Sequence, residues 1–125
     1  MTRLFEAQSA VYNRLSTELN IEVYDYVPES TDFPYIVIGR VYSTPNKTKT
    51  SNGERIEVTL DVWSDSKGKK ETFSIVNDIE ASLQTDLTIE DAFLISQEIN
   101  NVEVLEETYG LYHGTVVLEI LIDTE

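Results

Sequence analysis

Apolar residues recur at three- and four-residue steps near the start of the chain, at Leu4, Val11, Tyr12, Leu15 and Leu19, with Arg3, Glu6, Asn13, Arg14 and Glu18 between them. That spacing puts them on one stripe and predicts an amphipathic helix. Thr2 is placed to cap it, although Glu6 falls one position too late for a capping box. Ile21 to Tyr26 alternates and is rich in strand formers, and Val27-Pro28-Glu29-Ser30-Thr31-Asp32 has the composition that ends a strand. Pro34 can open a strand but cannot donate within a central ladder, so Tyr35 to Tyr42 reads as a strand beginning there. Between Ser43 and Gly53 no residue is apolar and Asn52-Gly53 is a turn signal, which predicts a mobile hairpin arm or loop over residues 44–54.

The alternation resumes in Ile56, Val58, Leu60 and Val62, with Glu57, Thr59, Asp61 and Trp63 on the opposite side. This strand has one core face. Ser64-Asp65-Ser66 offers capping side chains, and Thr72, Ile75, Val76, Ile79 and Leu83 form a helical stripe, predicting a helix over about residues 67–83. Phe93, Ile95, Ile99, Val102 and Val104 favour extended structure, as one long bent strand or as a hairpin turning at Asn100-Asn101. Tyr109 to Gly114 reads as a turn, and Thr115 to Ile122 as a last strand that is apolar on both faces. Two helices interleaved with strand groups predict an α+β fold, a mostly antiparallel sheet with both helices packed on one face. A chain of 125 residues with 41% hydrophobic residues fills one core, so residues 1–125 are expected to form a single domain.

The formal charge is −14, and its distribution is uneven: every Lys and Arg lies at or before Lys70, while Glu71 to Glu125 holds thirteen acidic residues and no basic one. Phosphate neutralisation needs a basic stripe, so specific DNA binding is not expected. The acidic half is read either as a solubilising surface or as a face that meets a basic partner or repels passing DNA. There is no cysteine, hence no disulfide and no thiolate metal site. No apolar run approaches the roughly 20 residues of a membrane span, and Met1 to Glu6 lacks a signal-peptide core, so neither membrane insertion nor export is expected.

Candidate chemistry is sparse. His113 is the one imidazole and no nucleophile elbow accompanies any serine, so it is read as a turn histidine that packs or hydrogen-bonds locally. Gly68-Lys69 fails as a phosphate loop, because Trp63 and Lys70 occupy the positions that need Gly and Ser or Thr. Carboxylate pairs such as Glu106-Glu107, Glu90-Asp91 and Asp61 with Asp65 are expected by chance at this acidic density. No catalytic residue, metal ligand or cofactor is assigned. Tyr24, Tyr26, Tyr42, Trp63, Tyr109 and Tyr112, with Tyr35, are core candidates singly; as a set they exceed what such a core needs and are candidate interface residues.

The run Tyr24-Asp25-Tyr26-Val27-Pro28, then Phe33-Pro34-Tyr35-Ile36-Val37-Ile38-Gly39, the Lys47-Thr48-Lys49-Thr50 loop, Val62-Trp63-Ser64, Gly68 with Glu71, the Ile75/Ile79/Leu83 helix and His113-Gly114 together span nearly the whole chain. In order and spacing they resemble the tail-completion (tail terminator, head-to-tail joining) proteins of long-tailed bacteriophages. The resemblance implies a structural virion protein, not an enzyme, that forms a homo-oligomeric ring, a hexamer, on the last ring of the major tail tube protein. Such a ring ends tube growth, meets the head connector or stopper protein, and lets DNA pass without specific binding. It implies a place at the head–tail junction of the virion, after assembly in the host cytoplasm. Within that picture the arm residues Lys47, Thr48, Lys49, Thr50, Asn52 and Arg55 are expected to contact a partner. A head-completion (stopper) protein on the other side of the junction and a small carboxylate-dependent enzyme are the alternatives.

Overall fold

The computed structural model describes residues 2–47 and 52–124. Its elements are α1 (Leu4–Glu18), β1 (Val23–Tyr24), β2 (Tyr35–Lys47), β3 (Asn52–Ser64), α2 (Lys70–Ser82), β4 (Phe93–Thr108) and β5 (Leu111–Thr124). The strands form one sheet in the order β1-β2-β3-β5-β4. β1 runs parallel to β2, and the other three pairings are antiparallel. The protein is thus α+β, with two helices and a mostly antiparallel sheet.

The core follows from strand alternation. Ile36 and Ile38 of β2, Ile56, Val58, Leu60 and Val62 of β3, and Val116, Leu118, Ile120 and Ile122 of β5 form one buried cluster with Ala7, Val11 and Leu15 of α1 and Ile75, Val76 and Ile79 of α2. Leu83, Leu87 and Ile89 continue it beyond α2. Each fully buried Leu or Ile contributes about 1.5–3 kcal/mol of transfer free energy, which makes this stripe-to-sheet contact the main source of stability. α2 packs tightly over Gly114, where an added Cβ would lie 2.9 Å from Cγ2 of Thr72 and 2.9 Å from Cγ2 of Val76.

Two polar contacts fix the helices, one to the sheet and one to each other. The carboxylate of Glu54, buried in β3, accepts the backbone N–H of Arg3 at 3.1 and 3.3 Å and the hydroxyl of Ser43 at 2.5 Å. A residue 51 positions away therefore caps α1, where neither Thr2 nor any local side chain does. Arg14 donates from Nη1 to the carbonyls of Ser82 (2.7 Å) and Thr85 (3.0 Å) and from Nη2 to that of Asp86 (3.0 Å), binding α1 to the carbonyl end of α2.

The structure corrects several boundaries. The expected strand from Ile21 to Tyr26 contracts to Val23–Tyr24, because Tyr26 is 80% exposed and has no face to bury. The stretch 44–54, expected as a mobile hairpin arm or loop, is largely hairpin ladder: Thr44 pairs with Arg55, Pro45 with Glu54, Asn46 with Gly53 and Lys47 with Asn52, while residues 48–51 lie outside the described residues. Pairing is a backbone property, and Asn52 to Arg55 are held on their other side by Leu121 to Thr124, so polar side chains do not prevent it. Pro45 is tolerated because β1 pairs only with Ile36 and Val37, leaving that flank of β2 an edge.

α2 begins at Lys70 and not at about 67, since Gly68 turns the chain at φ +77° and no side chain caps Lys69. Ser64 donates to Glu71 at 2.6 Å instead. The apolar positions from Phe93 to Val104 lie in one long strand, Phe93–Thr108, in which Asn100-Asn101 is absorbed as a register shift and not as a turn. The turn expected over Tyr109 to Gly114 is confined to Tyr109-Gly110: with Gly110 at φ +78° two residues suffice, pairing resumes at Leu111, and His113 and Gly114 lie in β5. β4 is the sheet edge, and its three register shifts and its glutamates blunt it against further pairing.

Candidate functional site

Strand positions of the opposite parity to the core form a second sheet face whose side chains are half-buried or exposed. Register fixes what lies side by side there. At one end Tyr35, Trp63, His113 and Leu105 form a row across β2, β3, β5 and β4. Tyr24 of β1 meets Tyr35 edge to face at 5.8 Å between centroids, and Phe33 stacks on Tyr35 at 5.4 Å. Further along, Asp61, Thr115 and Glu103 are neighbours, then Glu57, Glu119 and Glu98, three carboxylates in one line. Like charges directly opposite one another oppose pairing. Arg55 relieves part of this, its Nε lying 3.6 Å from Glu119, and Asn100 donates to the same carboxylate at 3.1 Å. Hydrogen bonding to Glu57 raises the pKa of the Tyr42 phenol, and the guanidinium of Arg40 lies 4.5 Å from the centre of its ring.

His113 is the most connected side chain of this face. It stacks on Trp63 with 4.1 Å between ring centres, and its Nδ1 and Nε2 lie 2.8 Å from Glu107 and 2.7 Å from Asp61. The two carboxylates bond opposite ring nitrogens, so they do not converge on a common ion position. Among the described residues no group of three His, Asp or Glu side chains is arranged to hold a metal, and no helix is long and apolar enough to cross a membrane.

The residues singled out by sequence do not form one patch. Trp63, Tyr109 and Tyr112 gather at the β4–β5 hairpin end, where Tyr109 is fully exposed and Tyr112 pairs with Ser64 and Glu106. Tyr24 and the exposed Tyr26 lie at the β1 side, and Tyr42 faces Glu57 on β2. Of the arm, Lys47 and Asn52 pair with each other, Asn52 also pairs with Thr124, and Arg55 contacts Glu119. Thr48, Lys49 and Thr50 lie outside the described residues. Sequence reasoning missed the union of Asp61, Glu107 and His113. Alternation puts Asp61 beside Trp63 on one face, but only the long-range register brings β5 and β4 alongside.

A family model described as Tail completion protein gp17 matches residues 1–123. The tail completion protein gp17 of Bacillus phage SPP1 is 27% identical over 121 residues, covering 93% of this chain and 90% of that protein. A chain from the virion of a native gene transfer agent (GTA) particle superposes with a TM-score of 0.81 at 19% identity, covering 93% of each chain. At that identity the likeness is one of fold.

Proposed function

The chain belongs to the tail completion protein gp17 family, a phage tail assembly family, and from that membership we propose that it caps the tail tube, ends its polymerisation and joins the tail to the head connector. The observation that carries this reading is the extent of the family match, which runs through both helices and all five strands. The protein acts as a homo-oligomeric ring, a hexamer, at the head–tail junction, after assembling in the host cytoplasm.

Two physical features support the reading. The sheet face carries Asp61, Glu103 and the line Glu57, Glu119 and Glu98, a surface that repels phosphate and suits a channel through which DNA slides without specific binding. The basic residues Lys47, Lys49 and Arg55, close in sequence to the junction of β2 and β3, suit an acidic tube or connector surface. Tyr26 and Tyr109, both largely exposed, supply aromatic contact area for neighbouring subunits or partners.

Light scattering coupled to size exclusion, before and after addition of assembled tail tubes, tests the proposal. A ring in solution, or a monomer retained at tube ends, is the expected result. A monomer that ignores tubes and binds purified connector would overturn it in favour of a head-side completion protein. Deleting residues 47–52 should abolish joining while leaving the fold intact; joining that survives the deletion would remove the arm from the account.

A further inference from the structure

Both ring nitrogens of His113 lie within hydrogen-bond distance of a carboxylate oxygen, Asp61 Oδ1 at 2.7 Å and Glu107 Oε1 at 2.8 Å. An ionised carboxylate only accepts, and a neutral imidazole has a single N–H. The two bonds therefore form together only when the ring carries both protons. The three residues come from three adjacent strands, Asp61 from β3, His113 from β5 and Glu107 from β4, so one imidazolium ties the middle of the sheet to its edge.

We propose that His113 is a pH-dependent latch: protonated, it holds the β4–β5 hairpin end against β3, and on losing a proton it releases Glu107 and loosens the hairpin tip.

Glu107 is the arm that lets go. It lies in the register shift between Glu106 and Thr108, where it has no paired partner on β5, and its side chain is 45% exposed against 22% for Asp61. Beyond it stand only Thr108 paired with Leu111, and Tyr109-Gly110, where the Gly110 N–H is accepted by Glu106 at 2.9 Å. The groups facing the ring are Asp61 and Trp63 from β3, Glu107 from β4, and the Thr115 hydroxyl 3.4 Å from Nε2 on β5 itself. Glu103 is one pairing step away beside Thr115, and on the β2 side Tyr35 pairs with Trp63 while Gly39 abuts the other oxygen of Asp61. None of these is a cation, and the stacked indole face also favours the charged ring.

Burial is the largest single influence on the ring and pushes its pKa down. The hydrogen bonds and charges of Asp61 and Glu107 together outweigh it, and the pKa is raised above 6.5. A raised value means that the stabilisation is complete below the unfolded-state pKa near 6.5 and is lost as pH climbs through the folded-state value. The latch is closed in mildly acidic solution and opens toward alkaline pH.

His113 is the sole histidine, so its ring signals in a nitrogen–proton correlation spectrum of the full chain need no assignment by mutation. In a titration from about pH 5 to 9, the expected result is two protonated ring nitrogens on the acid side, a midpoint above 6.5, and Tyr109 and Gly110 backbone signals that move with that midpoint and gain fast motion above it. Glu107→Ala, which removes the partner of Nδ1 altogether, should lower the midpoint by roughly 0.5–1 unit and leave the tip mobile at every pH. A single protonated nitrogen at the acid end, a midpoint at or below 6.5, or hairpin signals indifferent to the titration would overturn the latch. The wild-type titration decides this even if the variant folds poorly, and its outcome is independent of tube capping.

Discussion

Gly114 sets how closely α2 can approach the sheet, and Gly114→Ala tests that packing. The added methyl would lie 2.9 Å from Cγ2 of both Thr72 and Val76 and 3.3 Å from Cβ of Val62. Carbon atoms attract best at about 3.5–4.0 Å, so two contacts fall short by roughly 0.6–1 Å. Val76 cannot swing aside, because a valine on a helix is held almost entirely to one χ1 rotamer. Relief requires α2 to lift, opening gaps around Ile75 and Ile79, both in the buried core. Overpacking of this kind costs about 1–3 kcal/mol, and the loss of glycine's unfolded-state freedom returns about 0.4–1 kcal/mol. The net destabilisation is about 1–2 kcal/mol. With an unfolding entropy of roughly 2 cal/mol/K per residue, a domain of this size should melt about 4–8 °C lower.

Urea and thermal unfolding followed by circular dichroism measure the effect. The double variant Gly114→Ala/Val76→Ala should be less destabilised than the sum of its single changes, with a coupling of about 0.5–2 kcal/mol as the new methyl fills the vacated space. A Gly114→Ala protein as stable as the wild type, or additive single and double variants, would refute the close-approach reasoning.

Further expectations concern buried polar groups. Thr72 is fully buried and its hydroxyl has no hydrogen-bond partner among the described residues, so Thr72→Val should raise the urea midpoint, by roughly 1 kcal/mol of stability. Glu54→Ala removes the acceptor of the Arg3 N–H and of the Ser43 hydroxyl, and should cost about 1–3 kcal/mol, with weakened amide protection in the first turn of α1 as its local signature. Arg14→Lys should not preserve the bridge to Ser82, Thr85 and Asp86, because an ammonium lacks the planar fork that reaches these carbonyls; faster limited proteolysis between residues 83 and 88 is the readout.

Much of this fold is legible in periodicity. The stripe of α2 and the alternation of Ile56, Val58, Leu60 and Val62 identify core side chains, because burial selects apolar residues at the period of the element; in α1 Val11 and Leu15 are buried as expected, but Tyr12 is 40% exposed and Ala7 takes a core position. The ladder of residues 44–47 with 52–55 is not legible, since it depends on backbone pairing supported by β5 at the far end of the chain. The same holds for the cap on α1, whose acceptor is 51 residues away, and for the His113 cluster, assembled from three strands by register. Glycine serves two purposes here: Gly110 marks a real turn through its positive φ, whereas Gly114 is small for the sake of helix packing, and reading both as turn residues extends the turn too far.

The role we propose for this protein is termination of tail tubes. Its most direct test is to polymerise purified tail tube protein with and without this chain, and to measure tube lengths and tube ends by electron microscopy. Growth should stop at a ring of this protein on one end of each tube, and the capped end alone should then take up connector. Tubes that lengthen equally in its presence, with bare ends, would contradict it.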